Sequence, residues 1–118
     1  MTNRVDYYTT FVVGDESTGY QLSVAGYNGN AGDGMTPVGV GNLNGMKFST
    51  YDRDNDLQSW RNCANYVDAA CGFWLNACTD TFITSTNVGV NYGLTWEKIP
   101  GLTPWKNLLS ARMTLIKK

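Results

Sequence analysis

Asp52, Asp54 and Asp56 occupy alternate positions in the segment FSTYDRDND, residues 48 to 56. Carboxylates at i, i+2 and i+4 converge where a backbone turns, and a divalent cation held on hard oxygens relieves their repulsion. The opening spacing is that of an EF-hand, but the rest of such a loop is not there. Its sixth position is Leu57 rather than Gly, and its twelfth is Cys63 rather than Glu. A calcium loop of another design remains, beside the plainer reading of a solvated acidic turn. Magnesium fits less well, because it keeps its waters and prefers phosphate ligands. Zinc calls for nearby Cys or His.

Cys63, Cys71 and Cys78 are the other reactive side chains, an odd number that allows one disulfide and one leftover thiol in three pairings. The chain contains no histidine, which removes the commonest general base and transition-metal ligand together. Carboxylates two residues apart in one loop cannot flank a glycosidic bond, and no Ser or Cys has a recognisable base partner. Catalysis is therefore not expected. Nine basic and ten acidic residues give a net charge of −1, with no basic face for nucleic acid or acidic membranes. The apolar runs are too short for a membrane span. Met1 is followed by polar residues rather than a signal-type stretch, which fits either a cytosolic chain or a start downstream of a leader.

The elements that must position these groups are mostly strands. With 118 residues, 42% hydrophobic, the chain has room for one domain with a real core. YYTTFVV (7–13), YQLSVAG (20–26) and MKFSTY (46–51) alternate or are rich in β-branched and aromatic residues. Near the end, Leu109, Ala111, Met113 and Leu115 share one face, which predicts a final strand. Gly-rich GYNGNAGDG (26–34) and GVGNLNG (39–45) read as turns or loops. Helix is expected only as a turn or two around 57–67. The predicted class is α+β: an antiparallel sheet from about 1–51 and 105–118, with a loop-rich region at about 52–104. A loop that long needs fastening, which a cation and a disulfide would both provide.

Taken in order, these motifs resemble the C-terminal half of a fibrinogen-related domain, the module of fibrinogen, ficolins, tachylectins and angiopoietins. FVVGDESTGYQLSVAGYNGNAGD (11–33) is similar to the family's strand–turn–strand run, and GMKFSTYDRDND (45–56) to its calcium segment. NCA (62–64) with CGFWLNAC (71–78) resembles NCA…GWWxxxC, while GLTW (93–96) and ARMTLIKK (111–118) resemble the family's closing motifs.

The resemblance implies calcium on Asp54 and Asp56, with main-chain carbonyls a few residues on, here Gln58 and Trp60. Asp52 would brace the loop. Cys63 stands one residue later than in the family pattern, so the carbonyl positions shift. Cys63 and Cys78 match the family's disulfide pair, which implies an oxidising, extracellular setting. Cys71 has no counterpart and would be free or linked to another chain. In lectin-like members an acetyl-binding pocket adjoins this disulfide. Its walls here would be Cys78, Thr79, Trp74, Tyr92 and Trp105, with Thr79 where histidine is common. A hydroxyl cannot carry an imidazolium's charge. For Trp74 and Trp96, ordinary core is the stronger reading.

The family's N-terminal subdomain has no match in this sequence. The first strand would then present an open edge, and either self-association through it or a reduced variant with the gap filled is expected. Two functions follow from the resemblance: a calcium-stabilised lectin-like module for glycans or acetylated groups, and a protein- or receptor-binding module using the same loops.

Overall fold

The computed structural model describes residues 3–65, 72–84, 95, 96, 100, 108 and 110–117. Its elements are β1 (Asp6–Val13), a 3-10 turn (Glu16–Thr18), β2 (Leu22–Gly29), β3 (Phe48–Ser49), a second 3-10 turn (Cys63–Asn65), β4 (Phe73–Trp74), β5 (Thr81–Phe82) and β6 (Thr95–Trp96). Helical structure among the described residues amounts to those two turns, the second within the stretch where one was expected. Strands dominate, so the α part of the expected α+β class is slight.

Among the described residues, the single antiparallel sheet expected from periodicity is instead three two-stranded ribbons, β1–β2, β3–β4 and β5–β6. β1 and β2 form the long one, from Asp6 opposite Gly29 to Val13 opposite Leu22. The turn between them is built on Asp15, whose carbonyl accepts the amides of Thr18 and Tyr20. Gly26 lets the two strands approach, because a Cβ there would sit 1.8 Å from the Thr9 hydroxyl and its φ is +78°.

β3 does not join the hairpin edge as a strand, although MKFSTY reads like one. The segment before it runs beside β2, with Leu22 N–H donating to Met46 O at 2.9 Å and Gly45 N–H to Leu22 O at 2.8 Å. β3 then turns away to pair with β4, Phe48 opposite Trp74. The alternation in a sequence fixes faces, and the partner is chosen by tertiary packing.

One cluster of buried side chains holds the ribbons together: Leu22, Val24, Met35, Leu43, Phe73, Trp74, Leu75 and Phe82, with Cys63 and Ala64. Trp74 is its hub, with the edges of Phe11 and Phe48 meeting its ring at centroid distances of 5.7 and 5.1 Å. Its indole N–H donates to Tyr20 O at 2.7 Å. Gly34 brings the β5–β6 ribbon in, since any Cβ there would strike the Trp96 ring.

The final strand is not formed. Residues 110–117 are exposed and unpaired with any described segment, and Leu109 lies outside the described residues. A strand needs a ladder partner as well as an apolar face, and alternation supplies only the face.

Candidate cation and recognition site

The segment from Phe48 to Cys63 is fastened at both ends by its own polar side chains. Thr50 and Arg53 exchange backbone hydrogen bonds at 3.1 and 3.0 Å, which turns the chain at Tyr51 and Asp52. The Asp52 carboxylate accepts the Thr50 hydroxyl at 2.7 Å, the bracing role expected of it. Asn55 anchors the middle, its amide N–H donating to Ser49 Oγ and its side chain to Phe48 O. Asn62 reaches back from the other end and donates to the carbonyls of Thr50 and Tyr51.

Asp56 is the keystone of this loop. One oxygen accepts the Gln58 N–H and the other the Cys63 N–H, both at 2.8 Å. The Asp56 amide donates in turn to Asp54 Oδ1 at 3.3 Å, so the two carboxylates are neighbours. Burial raises the Asp56 carboxyl above the ordinary carboxylate value, against the two amide bonds, and the adjacent Asp54 carboxylate raises it further. Negative charge is therefore concentrated where the fold has already removed some water.

Calcium's preferences can be set against these groups. Among the described residues no three Asp, Glu, His or Cys side chains gather as a metal cluster. The expected donors are instead the remaining lone pairs of Asp54 and Asp56 with main-chain carbonyls. The main-chain carbonyls expected to join them, those of Gln58 and Trp60, lie on the same loop. Hard oxygens with about two formal charges fit Ca²⁺ and lack the nitrogen or sulfur that zinc selects.

The disulfide implied by the resemblance is present, joining Cys63 to Cys78 with Cα atoms 5.6 Å apart. It links the acidic loop to a buried turn in which Asn76 N–H donates to Cys78 O and Leu57 N–H to Asn76 O. The Asn76 side chain donates to Asn42 O at 2.8 Å, tying that turn to the first glycine-rich half. Thr79 is buried, and its hydroxyl accepts the Thr81 N–H at 3.0 Å.

Of the expected pocket walls, Trp74, Cys78 and Thr79 are among the described residues. Trp74 is only 8% exposed and serves the core, as its stronger reading had it. The part it shows lines a shallow hollow of about 310 Å³ with Val13, Tyr20 and Phe48, not with Thr79 or Cys78. Tyr92, Trp105 and Cys71 lie outside the described residues. On the acidic loop, by contrast, Tyr51, Leu57 and Trp60 are each more than 60% exposed. The Arg61 guanidinium lies 4.3 Å from the centre of the Trp60 ring.

Sequence reasoning missed a second polar knot. Asp33, read only as part of a turn, accepts the Tyr8 hydroxyl, the amides of Met35 and Thr36, and the Thr36 hydroxyl. The Asp-x-x-Thr spacing of residues 33 and 36 was the available signal, since Asp commonly bonds backbone two and three residues on.

The family model for the C-terminal globular domain of fibrinogen beta and gamma chains matches residues 2–118. Fibrinogen-like protein 1 of Bos taurus is 40% identical over 86 residues, covering 64% of this chain and 25% of that protein. The fibrinogen-like globe domain of human ANGPTL2 superposes with a TM-score of 0.72 at 31% identity, covering 88% of this chain and 47% of that domain. Lamprey fibrin D-dimer, complexed with the peptide Gly-His-Arg-Pro-amide, superposes at 0.73 with 26% identity, covering 90% of this chain and 38% of that one. This chain thus spans about half, or less, of the length of these relatives. By its sequence and its fold, it belongs to the family of fibrinogen C-terminal globular domains.

Proposed function

We propose that this chain is a calcium-braced recognition module that grips a protein or peptide through the loop from Thr50 to Cys63 and the disulfide-linked turn beside it. The observation that supports the reading best is Asp56. It is half-buried, it crowds Asp54, and it organises the amides of Gln58 and Cys63. Calcium there, on Asp54, Asp56 and the carbonyls of Gln58 and Trp60, would neutralise the pair and stiffen the loop up to the disulfide. The exposed Tyr51, Leu57 and Trp60 would then be held in a fixed array, and rigid aromatic contacts are effective anchors for a partner.

A peptide or protein ligand is favoured over a glycan by what has become of Trp74. A sugar or acetyl pocket beside Thr79 wants an aromatic wall, and this indole is committed to the core and to Tyr20 O. The peptide held by the lamprey fibrin relative points the same way. The glycan reading rests on Tyr92 and Trp105 alone. No catalytic step is proposed. The disulfide suits an oxidising, extracellular compartment, and no described helix is long and apolar enough to cross a membrane.

Calorimetric titration with Ca²⁺ tests the cation, and Asp54→Ala is expected to abolish the heat. A flat trace from the parent chain would overturn the calcium site. Peptide and glycan arrays probed in calcium and in EDTA test the ligand class. Calcium-dependent peptide signals are expected, and signals confined to glycans would restore the lectin reading.

A further inference from the structure

We propose, resting on the calcium-braced loop above, that the docking face extends onto residues 36–42 and that its partner is an acidic polypeptide segment bearing apolar side chains. Two loops distant in sequence meet at the disulfide-linked turn. On one side, Leu57 N–H donates to Asn76 O at 3.1 Å. On the other, Ala77 N–H donates to Val40 O at 3.4 Å and the Asn76 side chain to Asn42 O at 2.8 Å. Asn62 brings Tyr51 near the Trp60–Arg61 pair through its bond to Tyr51 O at 3.0 Å. Val38 is fully exposed and Val40 66% exposed, and a Cβ on Gly39 between them would meet nothing within 4 Å. These valines, Leu57 and Trp60 project around one turn, and none of them belongs to the core cluster. Apolar side chains gathered at a surface mark a place of contact.

Charge selects the partner. The loop from Thr50 to Cys63 holds three aspartates (Asp52, Asp54 and Asp56) and two arginines (Arg53 and Arg61), a net charge of −1. One Ca²⁺ on Asp54 and Asp56 makes it +1. The Asp52 carboxylate already accepts the Thr50 hydroxyl, whereas Arg53 is exposed and its bonds to Thr50 are made by its backbone. The cation therefore reverses the sign of the field around Tyr51 and Trp60. An acidic segment is repelled from the bare loop and drawn to the loaded one. At the far edge of the valine loop the Asp80 carboxylate lies against Gly41, so the partner's acidic residues belong on the arginine side.

The test probes the whole chain, first by calcium calorimetry and then on arrayed hexapeptides with a Leu-Phe centre flanked by Glu, Gln or Lys. At low salt in calcium the signals are expected to fall in the order Glu, Gln, Lys, with about fivefold between first and last. In EDTA the order should invert. Arg53→Glu returns the loaded loop to −1 and should abolish the preference for Glu flanks. Val38→Ser with Val40→Ser should weaken every Leu-Phe signal about tenfold or more while the calcium heat keeps its parent value. Calcium heat without a Glu preference, one order shared by calcium and EDTA, or a valine variant that binds like the parent would overturn the proposal and leave the calcium site standing. Absence of calcium heat would instead overturn the calcium site itself, and the proposal with it. Calcium-dependent pelleting with phosphatidylserine–phosphatidylcholine vesicles and no peptide signal would assign the face to a membrane and overturn the acidic segment as its partner.

Discussion

Asp33, in the loop after β2, and Asp56, in the loop between β3 and β4, are both half-buried, and each accepts backbone amides from residues later in the chain. They end in opposite electrostatic states. Burial pushes the Asp33 carboxyl up, but the Thr36 hydroxyl and amide, the Tyr8 hydroxyl and the Met35 amide outweigh it and hold Asp33 below the ordinary value of 3.8. Asp56 has two amide donors and a carboxylate neighbour, and it lies above that value. The protein supplies all the donors one loop needs and leaves the other with surplus negative charge. The first arrangement is complete as scaffold, while the second is the one that the proposed cation would stabilise.

The largest expected effect separates the two regions by cutting the staple. Replacing Cys63 and Cys78 by serine opens a loop of 15 residues' separation and should cost about 3 kcal/mol in urea unfolding. Hydrogen exchange should then speed at Gln58 and Cys63 while Met35 and Thr36 keep their protection. Equal loss in both places would make them one cooperative unit.

A smaller effect falls on the saturated aspartate. Asp33→Ala leaves the Tyr8 hydroxyl proton and the Thr36 amide without their acceptor and should cost about 2 kcal/mol with or without calcium. Asp54→Asn in EDTA should change stability by less than about 0.5 kcal/mol, because it keeps an acceptor for the Asp56 amide and removes a repulsion. An Asp54 variant as damaging as the Asp33 one would erase the contrast.

The smallest effect lies in pH dependence, where the two aspartates carry opposite signs. Asp33, depressed on folding, contributes stability that is present above 3.8 and lost as pH falls through its lower folded value. Asp56, raised on folding, contributes stability that is present below 3.8 and lost as pH rises through its higher folded value. In calcium-free buffer, Asp54→Asn should reduce the loss above 3.8 and leave the acid limb unchanged. Urea midpoints followed from acid to neutral pH measure both limbs, and an altered acid limb would show that the carboxylates are not independent.

Much of this was legible where a local pattern carried its own cause. Strand-rich YYTTFVV placed β1 nearly whole, alternating YQLSVAG placed β2 only as far as Gly26, with Tyr27 to Gly29 read as loop, and the aspartate spacing located a turn that buries one carboxylate. Partner choice was not legible. MKFSTY looked like a third strand of the hairpin sheet, yet Phe48 pairs with Trp74, a contact decided by the core. The alternation from Ala111 to Leu115 was read correctly as a pattern and wrongly as an intramolecular strand. Asn55, Asn62 and Asn76, which fasten the acidic loop and the turn beside it, carried no signal, because their bonds run to distant carbonyls. For the pocket, Trp74 shows how an aromatic motif serves packing as readily as binding.

Three side chains from late in the sequence end on carbonyls near its beginning: Trp74 on Tyr20, Thr81 on Gly34 and Trp96 on Gly32. A two-stranded ribbon is marginal alone in water. As the polypeptide leaves the ribosome, its first ribbon must therefore wait, bare, until about 67 further residues have followed, from Asn30 to the last of these donors at Trp96. Native structure arrives late in synthesis, and the interval before it is when a helper protein would have most to hold.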